Sequence, residues 1–493
     1  MKQLSYQTLS EMGYSGYLLR DAPERVLQFG AGTFLRAFAD YFFDVANERA
    51  HFNGKVVLVQ GVTAGLTERI NQQDGLYTLY LRGMDSGTPV VEKRVISAVS
   101  RCVNPYANYA AFLACAQNPD LRYIVSNTTE AGIVYQASDR FEDAPQASFP
   151  GKLTRFLYER YRQFGTQPGK GFLILSCELI DNNGTALKNC VLRMIENWKL
   201  EAGFSAWVEQ ENTFCSSLVD RIATGYPTRE APAMHAENGY YDTLLNTAEP
   251  YALWAIEGDA SVAQELPFGN AGLPVMVVPD HTPYKKRKVR ILNGAYSALA
   301  LPAYLCGYDT VSASMDSPAI VRFRDRLIYE EIIPTIDLPK ADLLAFAATV
   351  IRRYDNPYIE AKLLSISLNT ISKWKTRVLP SLKTYLKQTG ALPRCLSFSL
   401  AGIIAFYRTD KRDAQGLVGV RDGTPYPIHD TETVLSFFQE HAALPAPEIA
   451  QAFLSRTDFW DENLTKIPGL AASVADDLRM MEQCGMNQAL AAL

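Results

Sequence analysis

Apolar and polar positions follow one pattern in the first part of the chain and another in the second part, and the change falls near residue 280. In the first part, short apolar runs rich in β-branched residues stand between amphipathic stretches. A run that is apolar at consecutive positions predicts a strand buried on both faces, as in a parallel sheet. Four runs of this kind are RVLQFG (25–30), VVLVQGV (56–62), RYIVSN (122–127) and FLILSCELI (172–180).

The segments between these strands carry apolar residues at helical spacing, as in 33–48, 106–117 and 151–164. Alternating strands and helices predict βαβ units with right-handed crossovers. After the stretch 266–284, which is rich in Pro and Gly, helical spacing continues and hardly any strand pattern remains. The pattern therefore predicts a mixed α/β domain over residues 1–280 and a mostly α-helical domain over residues 281–493.

Charge and composition narrow the function classes. The formal charge of −5 argues against a general affinity for nucleic acid, because phosphate binding draws on a surplus of Lys and Arg. No stretch approaches the ~20 apolar residues of a membrane span, and the N-terminus lacks a signal-peptide pattern. We expect a cytoplasmic protein with no membrane or nucleic-acid partner. The histidines show neither HxxxH nor HExxH spacing, so no metal is expected, although a carboxylate-rich site stays open.

A glycine-rich turn follows the first predicted strand. Gly30 and Gly32 in GAGTFLRAF stand between that strand and a predicted helix. Glycines at such a turn let backbone N–H groups approach a pyrophosphate, which also meets the positive end of the helix. Leu35 replaces the third glycine of the GxGxxG pattern, and two glycines can also serve only a tight turn. We expect a dinucleotide to be bound by Phe29, Gly30, Ala31, Gly32, Thr33 and Phe34.

The end of the second predicted strand leaves the choice of dinucleotide open. NAD enzymes usually carry an acidic residue there for the adenosine ribose. This chain has Gln60 and Thr63 at that place, and the nearest acid is Glu68. Neither Arg nor Lys stands at the strand end to bind a 2′-phosphate. NAD is therefore the expected cofactor.

A basic run, KKRKVRILNGAY (285–296), turns apolar and ends on Asn and Tyr. Such a run is often only a solvated helix face. If a helix begins near residue 285, however, Lys288, Asn293 and Tyr296 can meet. A desolvated lysine has a lowered pKa and can exchange a proton with a carbonyl oxygen as hydride is transferred, while an amide N–H stabilises the alkoxide. Lys288 and Asn293 fit these two roles.

Seven motifs carry a resemblance over nearly the whole chain. They are VLQFGAGTFLRAF (26–38), QDGLYTL (73–79), SNTTEAG (126–132), SCELIDNNG (176–184), LVDRIATGYP (218–227), YKKRKVRILNGAYSALA (284–300) and RRYDNPYIEAKLLSISLNTISKWKTRVLPSL (352–382). In this order they resemble the polyol-specific long-chain dehydrogenase/reductase family, which includes mannitol 2-dehydrogenase. The resemblance implies an α/β Rossmann-type N-terminal domain, a mostly α-helical C-terminal domain, an active site in the cleft between them, and metal-independent chemistry with NAD.

Several catalytic and cofactor positions follow from the resemblance. The family's K-x-x-x-x-N pattern falls on Lys288 and Asn293. Glu130 matches a Glu that is thought to help the lysine exchange protons with solvent, and Asn127 and Thr128 match positions near the nicotinamide. Members of the mannitol type have S-C-D-N where this chain has SCEL (176–179), so their oxyanion-side Asn is missing. Asn293 would have to provide more of that stabilisation.

The substrate positions also follow from the resemblance. Tyr296 stands where the family has His, and a phenol can bind a substrate oxygen but cannot act as a neutral imidazole acceptor. Asp220 in the V-D-R-I pattern is a candidate for substrate hydroxyls, although it can also be a surface or capping residue. Arg353, in the family's R-F-x-N-P pattern, is the expected contact of a substrate carboxylate. Lys373 is a further candidate, although Lys373 and Arg377 can also be solvated or packed.

The motifs are most similar to those of family members that interconvert D-tagaturonate and D-altronate with NAD in hexuronate catabolism. We therefore expect an oxidoreductase that acts on CH–OH groups of a small sugar acid, as a monomer or small homo-oligomer. Fructuronate reduction and oxidation of a neutral polyol such as mannitol stay open. A function of another class also stays open, a sugar-acid sensor that binds ligand but does not turn over NADH, because of Tyr296 and the missing Asn.

Overall fold

The computed structural model describes residues 1–85, 88–128, 132–165, 167–414 and 416–493. The chain divides into two compact units. The first unit consists of Met1–Gly83 and Pro89–His281, and the second consists of Met84–Thr88 and Thr282–Leu493. In the described residues, no helix combines the length and the apolar character that crossing a membrane requires.

Strands and helices alternate up to residue 281. The strands are β1 (Lys2–Gln3), β2 (Glu24–Phe29), β3 (Lys55–Val59), β4 (Tyr77–Asp85), β5 (Thr88–Ile96), β6 (Val99–Val103), β7 (Tyr123–Ser126), β8 (Leu173–Ser176), β9 (Thr213–Cys215), β10 (Ser217–Asp220), β11 (Ala223–Gly225), β12 (Tyr240–Tyr241), β13 (Asn246–Ala248), β14 (Leu253–Glu257) and β15 (Val275–Val278). The helices are α1 (Tyr6–Glu11), α2 (Thr33–Ala37), α3 (Ala39–Ala50), α4 (Thr67–Gln72), α5 (Tyr109–Ala114), α6 (Phe149–Phe164), α7 (Asn183–Asn197), α8 (Ala202–Glu211), α9 (Ala231–Asn238) and α10 (Ala260–Glu265).

A six-stranded parallel sheet forms the centre of the first unit. Its strand order is β6-β3-β2-β7-β8-β9. If these strands are counted along the chain, the order is 3-2-1-4-5-6, which is the order of a Rossmann fold. Side chains alternate between two cores, with Val26 on one face of β2 and Leu27 on the other. The predicted α/β Rossmann-type domain is confirmed, and the four predicted strands all lie in this sheet.

Helix ends agree with local capping signals. The side chain of Ser148 accepts a hydrogen bond from the N–H of Gly151 at the start of α6, and Pro150 lies in the first turn. Asn108 caps α5 in the same way, through the N–H of Ala111. These residues satisfy N–H groups that the helix itself leaves without partners.

The first unit also contains smaller sheets that the apolar pattern did not predict. One has the order β11-β13-β4-β5, and another has the order β10-β14-β15. In the first, β13 pairs in parallel with β4, so that Asn246 lies opposite Leu79. Such pairing joins segments that are far apart in the chain and leaves no short-range signal in the sequence.

The second unit is mostly helical, as predicted. Its α-helices are α11 (Thr282–Arg287), α12 (Ala295–Leu305), α13 (Val311–Ser314), α14 (Pro318–Asp325), α15 (Lys340–Tyr354), α16 (Leu363–Ile366), α17 (Thr370–Arg377), α18 (Leu379–Thr389), α19 (Arg394–Tyr407), α20 (Glu432–His441), α21 (Ala446–Ser455), α22 (Thr457–Trp460) and α23 (Leu470–Ala491). A small antiparallel sheet of β16 (Arg412–Asp413), β17 (Gly416–Arg421) and β18 (Thr424–Ile428) adds strands where hardly any were expected.

Two stretches of this unit are π-helical. Lys288–Gly294 joins α11 to α12 without interruption, and Arg326–Ile332 follows α14. The helix that carries the basic run therefore begins at Thr282 and changes its hydrogen bonding at Lys288. π-Turns inside helices occur frequently at functional sites.

Candidate active site

The glycine turn lies where the strand order of the parallel sheet reverses. It follows β2, and the strand beside it, β7, leads into Asn127. Gly30 has a φ of 120°, and a Cβ atom at this position would lie 3.2 Å from the carbonyl oxygen of Asn127. The N–H of Asn127 donates to the carbonyl oxygen of Phe29 at 3.3 Å. This close approach of two backbone segments requires glycine at position 30. Ligands of open α/β sheets bind at the place where the strand order reverses.

The space at the start of α2 is open. Gly32 is the N-cap residue and supplies no side-chain hydrogen bond to the helix. A Cβ atom at Gly32 would meet no other atom within 4 Å. The first N–H groups of α2 therefore face a position where an anion is favoured by both hydrogen bonding and the helix dipole. This geometry fits the pyrophosphate of a dinucleotide.

The aromatic residues of the predicted cofactor segment differ in their surroundings. Phe29 is 2% exposed and packs against Phe112 and Phe149, with ring centroids 6.0 and 5.0 Å away. Its side chain therefore belongs to the core, and only its backbone is near the turn. Phe34 is half-buried and stacks on Phe38 at 5.1 Å. Ala31 and Thr33 are half-buried as well.

Asn127 and Thr128 directly follow β7. They are held by hydrogen bonds to Cys177 and Glu178, which directly follow β8. The amide of Asn127 donates to the carbonyl oxygen of Cys177 at 2.6 Å. The N–H and hydroxyl of Thr128 both donate to Glu178, at 3.1 and 3.2 Å, and Ser126 donates to the same carboxylate at 3.1 Å. Glu178 is 3% exposed, and burial raises its pKa. Glu178 thus positions Thr128, a role that the SCEL motif did not reveal.

The end of β3 contains no acidic group for a ribose. Gln60 is buried, and its amide donates to the carbonyl oxygens of Val62 and Thr63 at 2.9 and 3.2 Å. Its side-chain oxygen accepts from the hydroxyl of Thr67 at 2.7 Å. Gln60 therefore shapes the loop that follows β3, and the exposed residues 61–65 of this loop are the ones that a ribose could contact.

Asp220 and Glu130 are two further candidates of the first unit. Asp220 is 4% exposed and ends β10, which pairs with β14. It is therefore not a surface aspartate. The neighbouring Arg221 donates to the carbonyl oxygens of Ala37, Pro250 and Tyr251, which is a structural role. Glu130 lies outside the described residues.

Glu257, Asp280 and His281 offer ligand atoms within 4.8 Å of one another. The Nδ1 atom of His281 lies 2.6 Å from Oε1 of Glu257, and the N–H of His281 donates to the same oxygen at 3.2 Å. A separation of 2.6 Å is that of a strong hydrogen bond, and it is short for two ligands that each lie about 2 Å from one metal ion. We therefore interpret the His281–Glu257 contact as a hydrogen bond between the two side chains.

In the second unit, Lys288 opens the π-helical segment and Asn293 lies five residues later. An α-helix turns about 100° per residue, so residues five apart point about 140° away from each other. A π-helix links residues i and i+5 by its backbone hydrogen bonds, which brings these two side chains towards one face. Both residues are half-buried. The segment therefore suits the pairing that the sequence suggested, through a helix type that the sequence pattern did not predict.

Lys285 lies three residues before Lys288 on the preceding turn. Its pKa is lowered by burial and by the positive charge of Lys288. Two half-buried ammonium groups on one side of a helix favour an anionic ligand. The nearby Lys286 is exposed and fits a solvated helix face.

Tyr296 lies one turn beyond Asn293, in the first turn of α12. Its ring packs on the ring of Tyr354, the last residue of α15, with centroids 4.3 Å apart. Tyr354 is completely buried, and Arg353 beside it is 4% exposed. Arg353 is thus a buried cation one residue away from the partner of Tyr296.

The other cations proposed for a carboxylate lie on α17. Lys373 donates to the carbonyl oxygen of Ile366 at 3.0 Å, so it fastens α16 to α17. The guanidinium of Arg377 lies 3.5 Å from the hydroxyl of Ser297, which itself donates to the carbonyl oxygen of Asn293 at 2.8 Å. Arg377 is therefore packed beside the turn that carries Asn293.

Family models match both parts of the chain. A mannitol dehydrogenase Rossmann domain matches residues 24–269, and a mannitol dehydrogenase C-terminal domain matches residues 280–482. The altronate oxidoreductase of Klebsiella pneumoniae is 45% identical over 475 residues, which cover 95% of this chain and 96% of the relative. The altronate oxidoreductase of Yersinia enterocolitica is 44% identical over 493 residues, which cover 99% of each chain.

Solved structures share the fold. Mannitol 2-dehydrogenase of Pseudomonas fluorescens, in a ternary complex with NAD and D-mannitol, is 21% identical, with a TM-score of 0.72 over 99% of this chain and 98% of that one. A D-sorbitol dehydrogenase in substrate-free form is also 21% identical, with a TM-score of 0.81 over 99% of this chain and 100% of that one. The expected resemblance is confirmed: this chain belongs to the mannitol dehydrogenase family, and it is an oxidoreductase that acts on CH–OH groups.

Proposed function

We propose that the protein catalyses the reversible reduction of D-tagaturonate to D-altronate with NAD(H), without a metal, in hexuronate catabolism. The observation that carries the proposal is the π-helical segment that begins at Lys288 and includes Asn293. The relatives at 43–45% identity that are named altronate oxidoreductase support this substrate pair. We propose a cytoplasmic enzyme that works as a monomer or small homo-oligomer, with two domains over residues 1–280 and 281–493.

The first unit offers the features that NAD needs. The open start of α2 suits the pyrophosphate, and Gly30 allows the backbone to approach it closely. Ala31, Thr33 and Phe34 continue this segment, and Asn127 and Thr128 lie at the adjacent strand end. When bound, NADH supplies the hydride that reduces the keto carbon of the substrate.

Lys288 acts as the acid in the direction of reduction. Its ammonium group gives one proton to the keto oxygen as that oxygen gains the electron pair of the C=O bond, and the neutral amine then takes a proton from solvent. The N–H of Asn293 donates to the same oxygen and stabilises its developing negative charge. In the reverse direction, the neutral lysine removes the hydroxyl proton. We propose Glu130 as the group through which Lys288 exchanges protons with solvent.

The remaining candidates bind the sugar acid. Asp220 and Tyr296 bind substrate hydroxyls, and Arg353 binds the carboxylate as a buried, planar cation. Lys373 stays a weaker candidate because its ammonium already donates to the carbonyl oxygen of Ile366. Lys285 and Arg377 add positive charge near Lys288 and Asn293, which favours a sugar acid over a neutral polyol.

The test follows NADH absorbance with D-tagaturonate for the wild type, Lys288→Ala and Lys286→Ala. Lys286 is an exposed lysine in the same helix and serves as the matched control. We expect the wild type and Lys286→Ala to turn over equally, and Lys288→Ala to lose at least about a hundredfold in kcat, which is the usual contribution of a general acid. Equal turnover by Lys288→Ala would contradict the proposed mechanism.

The substrate is tested in parallel with D-fructuronate and D-fructose. Faster reduction of fructuronate or fructose than of tagaturonate would change the substrate assignment. A second candidate function, a sugar-acid sensor, is favoured by Tyr296 in place of the family's His. It predicts that altronate binds in calorimetry while none of the three keto compounds oxidises NADH.

A further inference from the structure

Tyr296 and Tyr354 form a close aromatic pair in the second unit. Their ring centroids are 4.3 Å apart and their planes are inclined by 37°. Tyr296 lies in the first turn of α12, and Tyr354 ends α15, so residues 58 positions apart meet through the packing of two helices. The hydroxyl oxygens of both residues are shielded from solvent. Neither Tyr296 nor Tyr354 is therefore an exposed surface residue.

The hydroxyl of Tyr354 has no hydrogen-bond partner among the described residues. The residue is 0% exposed, and its pKa is raised well above the ordinary value by burial and, secondly, by the phenol of Tyr296. Native proteins give nearly all buried polar atoms a partner, because an unpaired one costs about 1–3 kcal/mol. A phenylalanine would fill the same space without this cost, so the hydroxyl calls for a functional explanation.

Two arginines act electrostatically on Tyr354. Arg324 and Arg353 both lower the pKa of Tyr354, against the larger effect of burial. Arg324 is held by Asp325 at 2.8 Å and lies 3.6 Å from Asp355. These cations favour electron density on the Tyr354 oxygen and polarise its O–H bond towards a nearby acceptor. The ring of Tyr296, 4.3 Å away between centroids, carries the phenol oxygen that could take this role.

We propose that Tyr354 is a positioning residue for Tyr296, and that its hydroxyl donates to the Tyr296 oxygen when Tyr296 donates its own proton to an oxygen of the sugar acid. The proposal rests on the proposed function, in which Tyr296 contacts substrate. A phenol carries one proton, so Tyr296 cannot hold both a substrate oxygen and Tyr354 as acceptors. A second phenol that donates to it fixes the direction of its hydroxyl and strengthens its bond to the substrate.

The experiment is a double-mutant cycle of Tyr296→Phe and Tyr354→Phe, with kcat and KM for D-tagaturonate measured in all four proteins. Tyr354→Phe keeps the ring stack and removes only the hydroxyl. We expect it to raise KM for tagaturonate or lower kcat by about tenfold, which corresponds to one hydrogen bond, while KM for NADH and the melting temperature do not fall. In the Tyr296→Phe background, Tyr354→Phe should have no further effect.

Tyr426→Phe is the matched control. Tyr426 is also a buried tyrosine of the second unit, and its hydroxyl donates to the carbonyl oxygen of Phe406 at 2.8 Å. Loss of this bond should lower the melting temperature and leave kcat and KM unchanged. The two variants should therefore show opposite results, with lost function in one and lost stability in the other.

Two outcomes overturn the proposal. One is a Tyr354→Phe enzyme with wild-type kinetics, and the other is an equal effect of Tyr354→Phe with and without the Tyr296 hydroxyl. Failure of the proposed function is a separate result, in which the wild type turns over none of the keto compounds. In that case fluorotyrosine NMR decides, because Tyr354→Phe must shift the Tyr296 resonance and Tyr426→Phe must not. An unshifted Tyr296 resonance rejects the positioning role.

Discussion

Asp40 is a buried acid beneath the glycine turn, and we expect Asp40→Asn to stabilise the protein in a pH-dependent way. Asp40 lies on α3 and is 0% exposed. Burial raises its pKa to about 7, against the opposing effects of Arg36, Tyr77 and Gln28. The guanidinium of Arg36 donates to the carbonyl oxygens of Ala31 and Leu244, at 3.2 and 2.6 Å. Asp40 is therefore not the main hydrogen-bond partner of Arg36.

The hydrogen bonds around Asp40 suit a neutral carboxyl group. Tyr77 has one hydroxyl proton, and the carbonyl oxygen of Arg36 at 2.5 Å is a closer acceptor than Oδ2 of Asp40 at 3.3 Å. In the described residues, Oδ1 of Asp40 and Oε1 of Gln28 are both buried acceptors without a donor. A proton on Asp40 would let its carboxyl group donate to Oε1 of Gln28, whose side chain faces Asp40. An Asn at this position can make the same donation with its amide.

The sign of the pH effect follows from the raised pKa. Below pH 3.8 the carboxyl is protonated in both the folded and the unfolded chain, and its contribution is fully present. Between pH 3.8 and about 7 only the unfolded chain releases the proton, so stability falls by about 1.4 kcal/mol per pH unit. The loss reaches about 4 kcal/mol and levels off above pH 7. Asp40→Asn removes this loss.

Urea unfolding of the wild type and Asp40→Asn, followed by circular dichroism from pH 4 to pH 8.5, measures the difference. We expect the two proteins to differ by less than about 1 kcal/mol at pH 4 and the variant to be more stable by about 4 kcal/mol at pH 8. Asp44→Asn is the control, because the carboxylate of Asp44 accepts bonds from Arg94 at 2.6 Å and from the N–H of Ser97 at 2.7 Å. Burial also raises the pKa of Asp44, but the loss of these hydrogen bonds should leave Asp44→Asn less stable than the wild type at pH 8. A destabilised Asp40→Asn at pH 8 would refute the reasoning and indicate an ionised, paired carboxylate.

Further predictions concern the dinucleotide segment. Gly30→Ala should lower the free energy of unfolding by roughly 1–3 kcal/mol, because its φ of 120° and the carbonyl oxygen of Asn127 at 3.2 Å both oppose a side chain. Gly32→Ala has open space and should keep the wild-type melting temperature while it raises KM for NADH; an unchanged KM would argue against pyrophosphate binding there. Glu178→Gln should lose about 1–3 kcal/mol and raise KM for NADH, because an amide N–H then faces the donors of Thr128; a wild-type melting temperature would contradict this.

The parts of the fold that the sequence predicted are those that depend on local periodicity. Strands such as β3, with Val56 and Leu58 in one core and Val57 and Val59 in the other, are buried on both faces and stand out as apolar runs. The helical second unit is predictable for the same reason. The sheet that contains β4 and β13 was missed, because the pairing of these strands places Asn246 opposite Leu79 and depends on contacts far apart in the chain.

Polar residues at core positions show a second limit of prediction. Gln28 lies two residues after Val26 in β2, so both side chains are on the same face of the strand. Gln28 is 0% exposed and is therefore a polar residue on an otherwise apolar face. Its amide donates to the carbonyl oxygen of Gly30 at 3.0 Å, which connects the Asp40 region to the glycine turn. A single sequence shows that such a residue interrupts an apolar run, but it does not show which groups surround the side chain. Glu178 and Tyr354 were missed because the residues that they contact, Thr128 and Tyr296, are 50 and 58 positions away in the chain.

The π-helical segment shows how a motif spacing can carry information about backbone geometry. If Lys288–Gly294 were α-helical, Lys288 would align with Leu292 at i+4, and Asn293 would point about 140° away. A spacing of five residues between an acid and an oxyanion donor therefore conflicts with an α-helix and agrees with i→i+5 hydrogen bonding. Such a turn is less favourable than a regular helix turn, and its position between two α-helices, at the residues proposed for catalysis, agrees with function rather than stability as its cause. The K-x-x-x-x-N spacing is then itself the sequence signal of the π-turn.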